Sequence, residues 1–327
     1  MTRPVRAFFA VGALCAVLPA VLPSPLRAQT WPARPVKIIA PATAGGTADT
    51  LGRLAAQKLS ESLMQQFLVE NRLGAAGVTG THAVATSAPD GYTLGVSGGA
   101  FHAIAPALSR VPYDPIRDFT HIALFGGQPG VFAINPSLPA KDLSEFIALA
   151  RARPGAVSYG TAGNGSQGHL VAELLKQLAG IDVQHIPYKG ASSAVADMIA
   201  GHISSVSTTL ATASGQMRAG KARALALTAA NRLPDYPDVP TFKEQGYPDL
   251  VATTWFGLSG PAGLPGEMAA RLNTEVRRAM HAPDVRERMR PEGIEPGDFD
   301  APGYAAFIAA ELRRWTPVVR ASGAKAD

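Results

Sequence analysis

"VKIIAPATAGGTADTLGRLA", residues 36–55, passes from an apolar run with the β-branched pair Ile38–Ile39 into Pro-Ala-Thr-Ala-Gly-Gly-Thr. It then enters a stripe made by Leu51, Leu54, Ala55 and Leu59. Spacings of three, four and eight residues are helical, so the segment reads as strand, glycine-rich loop and helix. Such a loop points the unpaired backbone N–H groups of a helix N-terminus at something negative.

The loop is not a nucleotide cradle. It lacks Gly-Lys-Ser/Thr, and "AGGTADTLG" lacks the G-x-G-x-x-G spacing that lets backbone approach a pyrophosphate. "NRLGAAGVTG" also misses that fingerprint, with Gly74, Gly77 and Gly80 three apart.

Outward from this stretch the strand–helix alternation continues. "QFLVENR" and "GYTLGVSGG" read as strands, and "GAAGVTGTHAVATSA" as loop and helix. In "HLVAELLKQLAG" the residues Leu170, Leu174 and Leu178 are expected on one buried face. Strands alternating with helices argue for βαβ units and parallel sheets. Two extended, glycine-interrupted runs, His121–Pro136 and Leu250–Pro261, read as crossings between units. The expected fold is therefore α/β and two-lobed, with a two-strand hinge and a ligand cleft between the lobes. Residues 29–127 and 252–327 would form a discontinuous first domain, and 128–251 the second.

The first 28 residues read as a secretory signal peptide: Arg3 and Arg6, an apolar stretch from Ala7 to Leu22, then Pro23 to Ala28. An uncleaved anchor is the alternative, although Pro19 and the short apolar length count against a span. Without Arg3, Arg6 and Arg27 the 30 basic residues become 27 against 25 acidic ones, which removes the support for nucleic-acid binding. The single cysteine, Cys15, lies in the same leader, so the exported part has no thiol chemistry and no disulfide.

Three chemistries compete for the candidate residues. "GVSGG" matches the G-x-S-x-G elbow around Ser97 and makes a secreted serine hydrolase the rival reading, but no HGGG-type oxyanion loop accompanies it. Seven scattered histidines without H-E-x-x-H spacing argue for no metal, and the carboxylates form no acid/base motif. The third chemistry uses the loops themselves, "PATAGGTAD" (41–49) and "GTAGNGSQGH" (160–169), each after a strand and opening a helix. If both strands are parallel members of their sheets, both loops lie at carboxyl ends and face the cleft. They could equally be ordinary turns, but a pair in corresponding positions of two lobes favours a ligand. A helix N-terminus contributes roughly 0.3–2 kcal/mol toward an anion, and each hydrogen bond to a charged group about 1.5–3 kcal/mol. Several together reach the roughly −8 kcal/mol of a micromolar complex after ordering costs. Neither loop contains Arg or Lys, so a small carboxylate suits them better than a phosphate.

With these residues in place, the chain resembles the substrate-binding receptors of tripartite tricarboxylate transporters, the Bug family, from about Trp31 onward. The resemblance rests on "PATAGGTAD", "ENRLGAAGVTGT", "PDGYTL", "YDPIRDF", "GNGSQGHLVAELL", "IPYKGASSAVADMIAG" and, with Tyr236–Pro237 inserted, "LPDVPTFKEQGYP". It implies a periplasmic, non-enzymatic, monomeric binding protein without cofactor. Such a protein passes a carboxylate or related small solute to membrane permease subunits; a sensor of the same fold is a further alternative. Carried over by motif, the ligand would meet Thr43, Gly45, Gly46, Thr47 and Asp49, then Asn164, Gly165, Ser166 and His169. Ser97 and Ala100 would be additional donors, with Thr208 and Lys189 beyond them. The chain departs from the family at Ala42, where an aromatic often follows the proline; this leaves more room and bears on which ligand is held.

Overall fold

A computed structural model describes residues 31–324, so the signal peptide read from residues 1–28 lies outside the described residues. The chain opens with β1 (Val36–Ala40), α1 (Thr47–Leu63), β2 (Phe67–Asn71), α2 (Val78–Ala85) and β3 (Thr93–Gly98). A π-helical turn, Ala100–Ile104, runs into α3 (Ala105–Leu108). Then β4 (Phe119–Ile134) leads to α4 (Leu143–Ala152), β5 (Ser158–Thr161), α5 (Gln167–Ala179), β6 (Gln184–Pro187) and α6 (Ala191–Ala200). After β7 (Ser205–Thr209), α7 (Leu210–Arg218) and β8 (Arg223–Leu227), the chain returns through β9 (Thr253–Pro261). It closes with α8 (Gly266–Met280), α9 (Pro283–Met289), β10 (Glu295–Pro296) and α10 (Ala301–Ala321).

Strand order is β2-β1-β3-β9-β4-β7-β5-β6, with β8 and β10 also on β4. Both βα units are parallel: β1 pairs with β2 and β3, and β5 with β6 and β7. The 16-residue β4 belongs to both sheets. Its first part runs antiparallel to β9 from Phe119↔Pro261 to Pro129↔Thr253, and its end pairs with β7 and β8. These are the two expected crossing segments, lying side by side.

Each sheet has its own core. Val36, Ile38, Leu51, Leu54, Ala55 and Leu59 pack with Phe125 and Leu272 in the first. The stripe read from the sequence is therefore the buried face of α1, each full leucine burial being worth about 1.5–3 kcal/mol. Phe132, Phe146, Tyr159, Leu170 and Leu175 fill the second. On α5, however, the buried face is Leu170, Val171 and Leu175; Leu174 is half-buried and Leu178 is exposed. Each four-residue step advances the direction by roughly 40° beyond a full turn, so two such steps carry the row off the core face.

α10 lies across both sheets. α10 packs Tyr304 and Ile308 beside Trp255 of β9, while Trp315, Val318 and Val319 lie in the second core. The helix starts at Asp300, whose carboxylate accepts from Gly303 N at 2.8 Å, an N-cap that fixes where it begins.

Candidate functional site

The first loop leaves the carboxyl end of β1. Gly45 has φ +80°, a left-handed conformation that costs a side-chain-bearing residue energy. Its N–H donates to Asp49 Oδ2 at 2.9 Å, and Gly46 N donates to Thr43 O at 3.2 Å. Asp49 is buried, and its carboxylate also accepts from Arg53 Nε (2.9 Å) and Asn71 Nδ2 (2.8 Å). Burial alone would raise the pKa of this carboxyl, but the bonds from Arg53, Gly45 and Asn71 outweigh it and hold the pKa below the usual value. Asn71 Nδ2 reaches Ala42 O as well, at 3.0 Å. The loop is thus braced from behind by groups that sequence reasoning did not single out, although Asn71 lies within the quoted "ENRLG". Gly46 caps α1 without a side-chain bond. The N–H groups of Thr47, Ala48 and Asp49 have no acceptor among the described residues.

The second loop follows the same plan at the carboxyl end of β5. Gly165 has φ +70°, and its N–H donates to His169 Nδ1 at 3.1 Å, so the neutral ring carries its proton on Nε2. Ser166 caps α5, its Oγ accepting from His169 N at 3.3 Å. The N–H groups of Gln167 and Gly168 are left without an acceptor among the described residues. Gly168 is a glycine for space: a Cβ there would sit 2.1 Å from Ser207 O, because the first turn of α5 rides on the end of β7.

Contacts link the loops. Pro41 and Phe101 both close on Gly77, which ties the first loop to the turn after β3. That turn runs into α3, whose Leu108 lies against Gly165 of the second loop. Ala100 is exposed at its start, as are Thr43 and Asn164 in their loops. Thr208 is buried at the end of β7, opposite Val131 of β4, and its Oγ1 has no partner among the described residues. Lys189 is exposed just before α6.

Ser97 is not where the sequence reading put it. It is fully buried, with Oγ 2.8 Å from the Tyr304 hydroxyl. It therefore offers nothing to a ligand, and it cannot serve as the hydrolase nucleophile. Nearly all of β3 is buried on both faces, so alternation could not tell which way Ser97 points. The glycine N–H groups of Gly45 and Gly165 are likewise consumed within their loops; the free donors are those one or two residues further on.

Among the described residues no group of three His, Cys, Asp or Glu side chains could hold a metal ion, and no helix is long and apolar enough to cross a membrane. A groove of about 710 Å³ lies elsewhere, between Leu233–Tyr236 and the α9–β10 region, and touches neither loop.

Two α/β lobes on parallel βα units, joined by antiparallel strands and carrying paired loops at strand ends, define a solute-binding protein of the periplasmic-binding type. The model of the tripartite tricarboxylate transporter family receptor matches residues 51–324, and the chain belongs to that family. BugT of Bordetella pertussis is 37% identical over 305 residues, covering 92% of this chain and 93% of its own. The R. palustris protein Rpa4515, solved with adipate, is 34% identical with TM-score 0.77, over 90% of this chain and 99% of that one. MatC from Rhodopseudomonas palustris, solved with bound malate, is 33% identical with TM-score 0.74, over 88% and 100%.

Proposed function

We propose that the chain captures a small organic carboxylate between the loops 41–49 and 160–169 and delivers it, as an exported periplasmic monomer, to the permease of a tripartite tricarboxylate-type transporter. The observation that carries this is the pair of helix N-termini, α1 and α5, each with free N–H groups and no cation in its loop. Neutral donors and helix dipoles suit a carboxylate. The relatives solved with adipate and malate bind carboxylates of this class. The donors are the N–H groups of Thr47, Ala48, Asp49, Gln167 and Gly168, with hydroxyls of Thr43 and Ser166, and Asn164, Ala100 and Thr208 around them. Asp49 acts as a brace, since a second negative charge facing the ligand would repel it. The lobes divide as 29–127 with 252–327, and 128–251, except that the last turns of α10 pack with the second lobe. Closure about β4 and β9 brings the loops onto the ligand.

The test is a thermal-unfolding screen of protein refolded to strip bound solute, against dicarboxylates, tricarboxylates, acidic amino acids and aromatic acids. A ligand at 100 times its Kd adds about 2.7 kcal/mol, a rise in Tm of roughly 5–10 °C at this size. We expect such a rise from one carboxylate class; no rise from any carboxylate in a cooperatively folded sample contradicts the reading.

A further inference from the structure

The second loop rests on a stack of imidazoles. The ring of His169 lies face to face with that of His185, centroids 4.0 Å apart and planes 15° apart. His185 in turn stacks on Tyr159 at 4.9 Å and 24°. His185 Nε2 is 2.7 Å from Thr161 Oγ1. Thr161 Oγ1 also accepts from Gly163 N at 3.2 Å, and Gly165 N donates to His169 Nδ1 at 3.1 Å. One pair of rings therefore holds the loop at its start, through Thr161 and Gly163, and at its end, through Gly165.

We infer that His185, which lies on β6 outside the loop, is a positioning residue for ligand capture, holding the loop through Thr161 and through its stack with His169. Two features of the geometry require both rings to be neutral. Nδ1 of His169 is an acceptor, so a second proton on that ring can go only where Gly165 N–H is bound, and the loop loses that anchor. A positive charge on each of two rings 4.0 Å apart is strongly unfavourable in a half-dry site. The other groups facing the stack do not compensate: Glu173 attracts a proton toward it, but Lys176 is bonded to Glu173 at 2.8 Å and opposes this, while the Tyr159 hydroxyl already donates to Glu173. Burial, with the neighbouring His169, lowers His185 to about 4, and burial lowers His169 as well. Both rings are thus neutral at pH 7.5, the state in which Gly165 N–H and Thr161 keep their partners.

The inference rests on the carboxylate reading for its affinity arm but has a ligand-free arm of its own. Amide hydrogen exchange at Gly163 and Gly165 is measured in the wild-type, His185→Ala and His185→Gln proteins at pH 7.5 after correction for intrinsic exchange. Affinity for succinate and adipate is measured by calorimetry on the same samples. His185→Ala is expected to raise exchange at both glycines at pH 7.5 and to weaken binding at least tenfold. His185→Gln keeps a hydrogen-bond partner for Thr161, so it should recover most of both. Unchanged exchange in His185→Ala, or no recovery of exchange protection and affinity in His185→Gln, overturns the inference. If exchange changes as expected but the wild type binds no carboxylate, the positioning role stands and the carboxylate reading fails.

Discussion

Replacing Glu311 with leucine is expected to remove roughly 2–6 kcal/mol of stability and to lower Tm by on the order of 10 °C. Glu311 is buried on α10, and its Oε2 accepts from Trp255 Nε1 and from Trp315 Nε1, each at 3.0 Å. Both indoles are essentially inaccessible, one on a hinge strand and the other in the second core. Leucine fills a similar volume but leaves two buried N–H donors without acceptors, each costing about 1–3 kcal/mol. Glu311→Gln retains an oxygen acceptor and should recover a large part. Urea unfolding of the three proteins decides it: a leucine variant within 1 kcal/mol of the parent would show that this carboxylate does not pin the helix. The same contact predicts a single unfolding transition, because α10 packs against both sheets and neither lobe can lose it alone.

Acid should destabilise the protein well before its carboxylates titrate. His121 is buried, with Nδ1 2.9 Å from Ser259 Oγ and Nε2 3.0 Å from Pro115 O, and its ring lies 5.5 Å from that of His102. Burial lowers His121 to about 4, and burial together with His121 places His102 well below its ordinary value too. In the unfolded chain both titrate near 6.5. Above that pH both states are neutral and the stabilisation is complete. As pH falls from 6.5 toward 4 the unfolded chain takes up protons that the folded chain refuses, so stability is lost across that window and levels off below it. For His121 alone the loss is about 3 kcal/mol. Urea midpoints at pH 7.5 and 4.5 measure it, and His121→Gln should flatten the slope. A midpoint unchanged between those pH values would contradict the assignment.

How far the sequence alone reaches follows from which contacts are local. The β1–loop–α1 unit was legible because strand, glycine pair and a helical stripe sit within two dozen residues, and Leu51, Leu54, Ala55 and Leu59 are all buried as that stripe requires. The hinge was legible because two long extended runs, each interrupted by glycine, have no other use in an α/β chain; they became β4 and β9. What failed depended on distant partners. The brace on Asp49 comes from Asn71, on the neighbouring strand. Ser97 meets Tyr304, more than two hundred positions away. The passage of α10 from Trp255 on the first sheet to the second core is a tertiary fact without a local pattern. In the loops Gly45, Gly46 and Gly165 were visible, but their N–H groups are spent on loop geometry, and the N–H groups left unpaired among the described residues are those of Thr47, Ala48, Asp49, Gln167 and Gly168.

The central claim, that helix N–H groups hold the carboxylate, is tested most directly by Thr47→Pro against Thr47→Ala, with calorimetric titration of the carboxylate found in the thermal screen. Thr47 is the first residue of α1, and Gly46 before it is extended at φ −74°, ψ 164°, so proline fits there and deletes one N–H without breaking the helix. Alanine deletes the hydroxyl alone. Thr47→Pro is expected to bind about 10–100-fold more weakly than Thr47→Ala at equal stability, the effect of one charge-assisted hydrogen bond of about 1.5–3 kcal/mol. Equal affinities in the two variants would mean that the N-terminus of α1 does not hold the ligand.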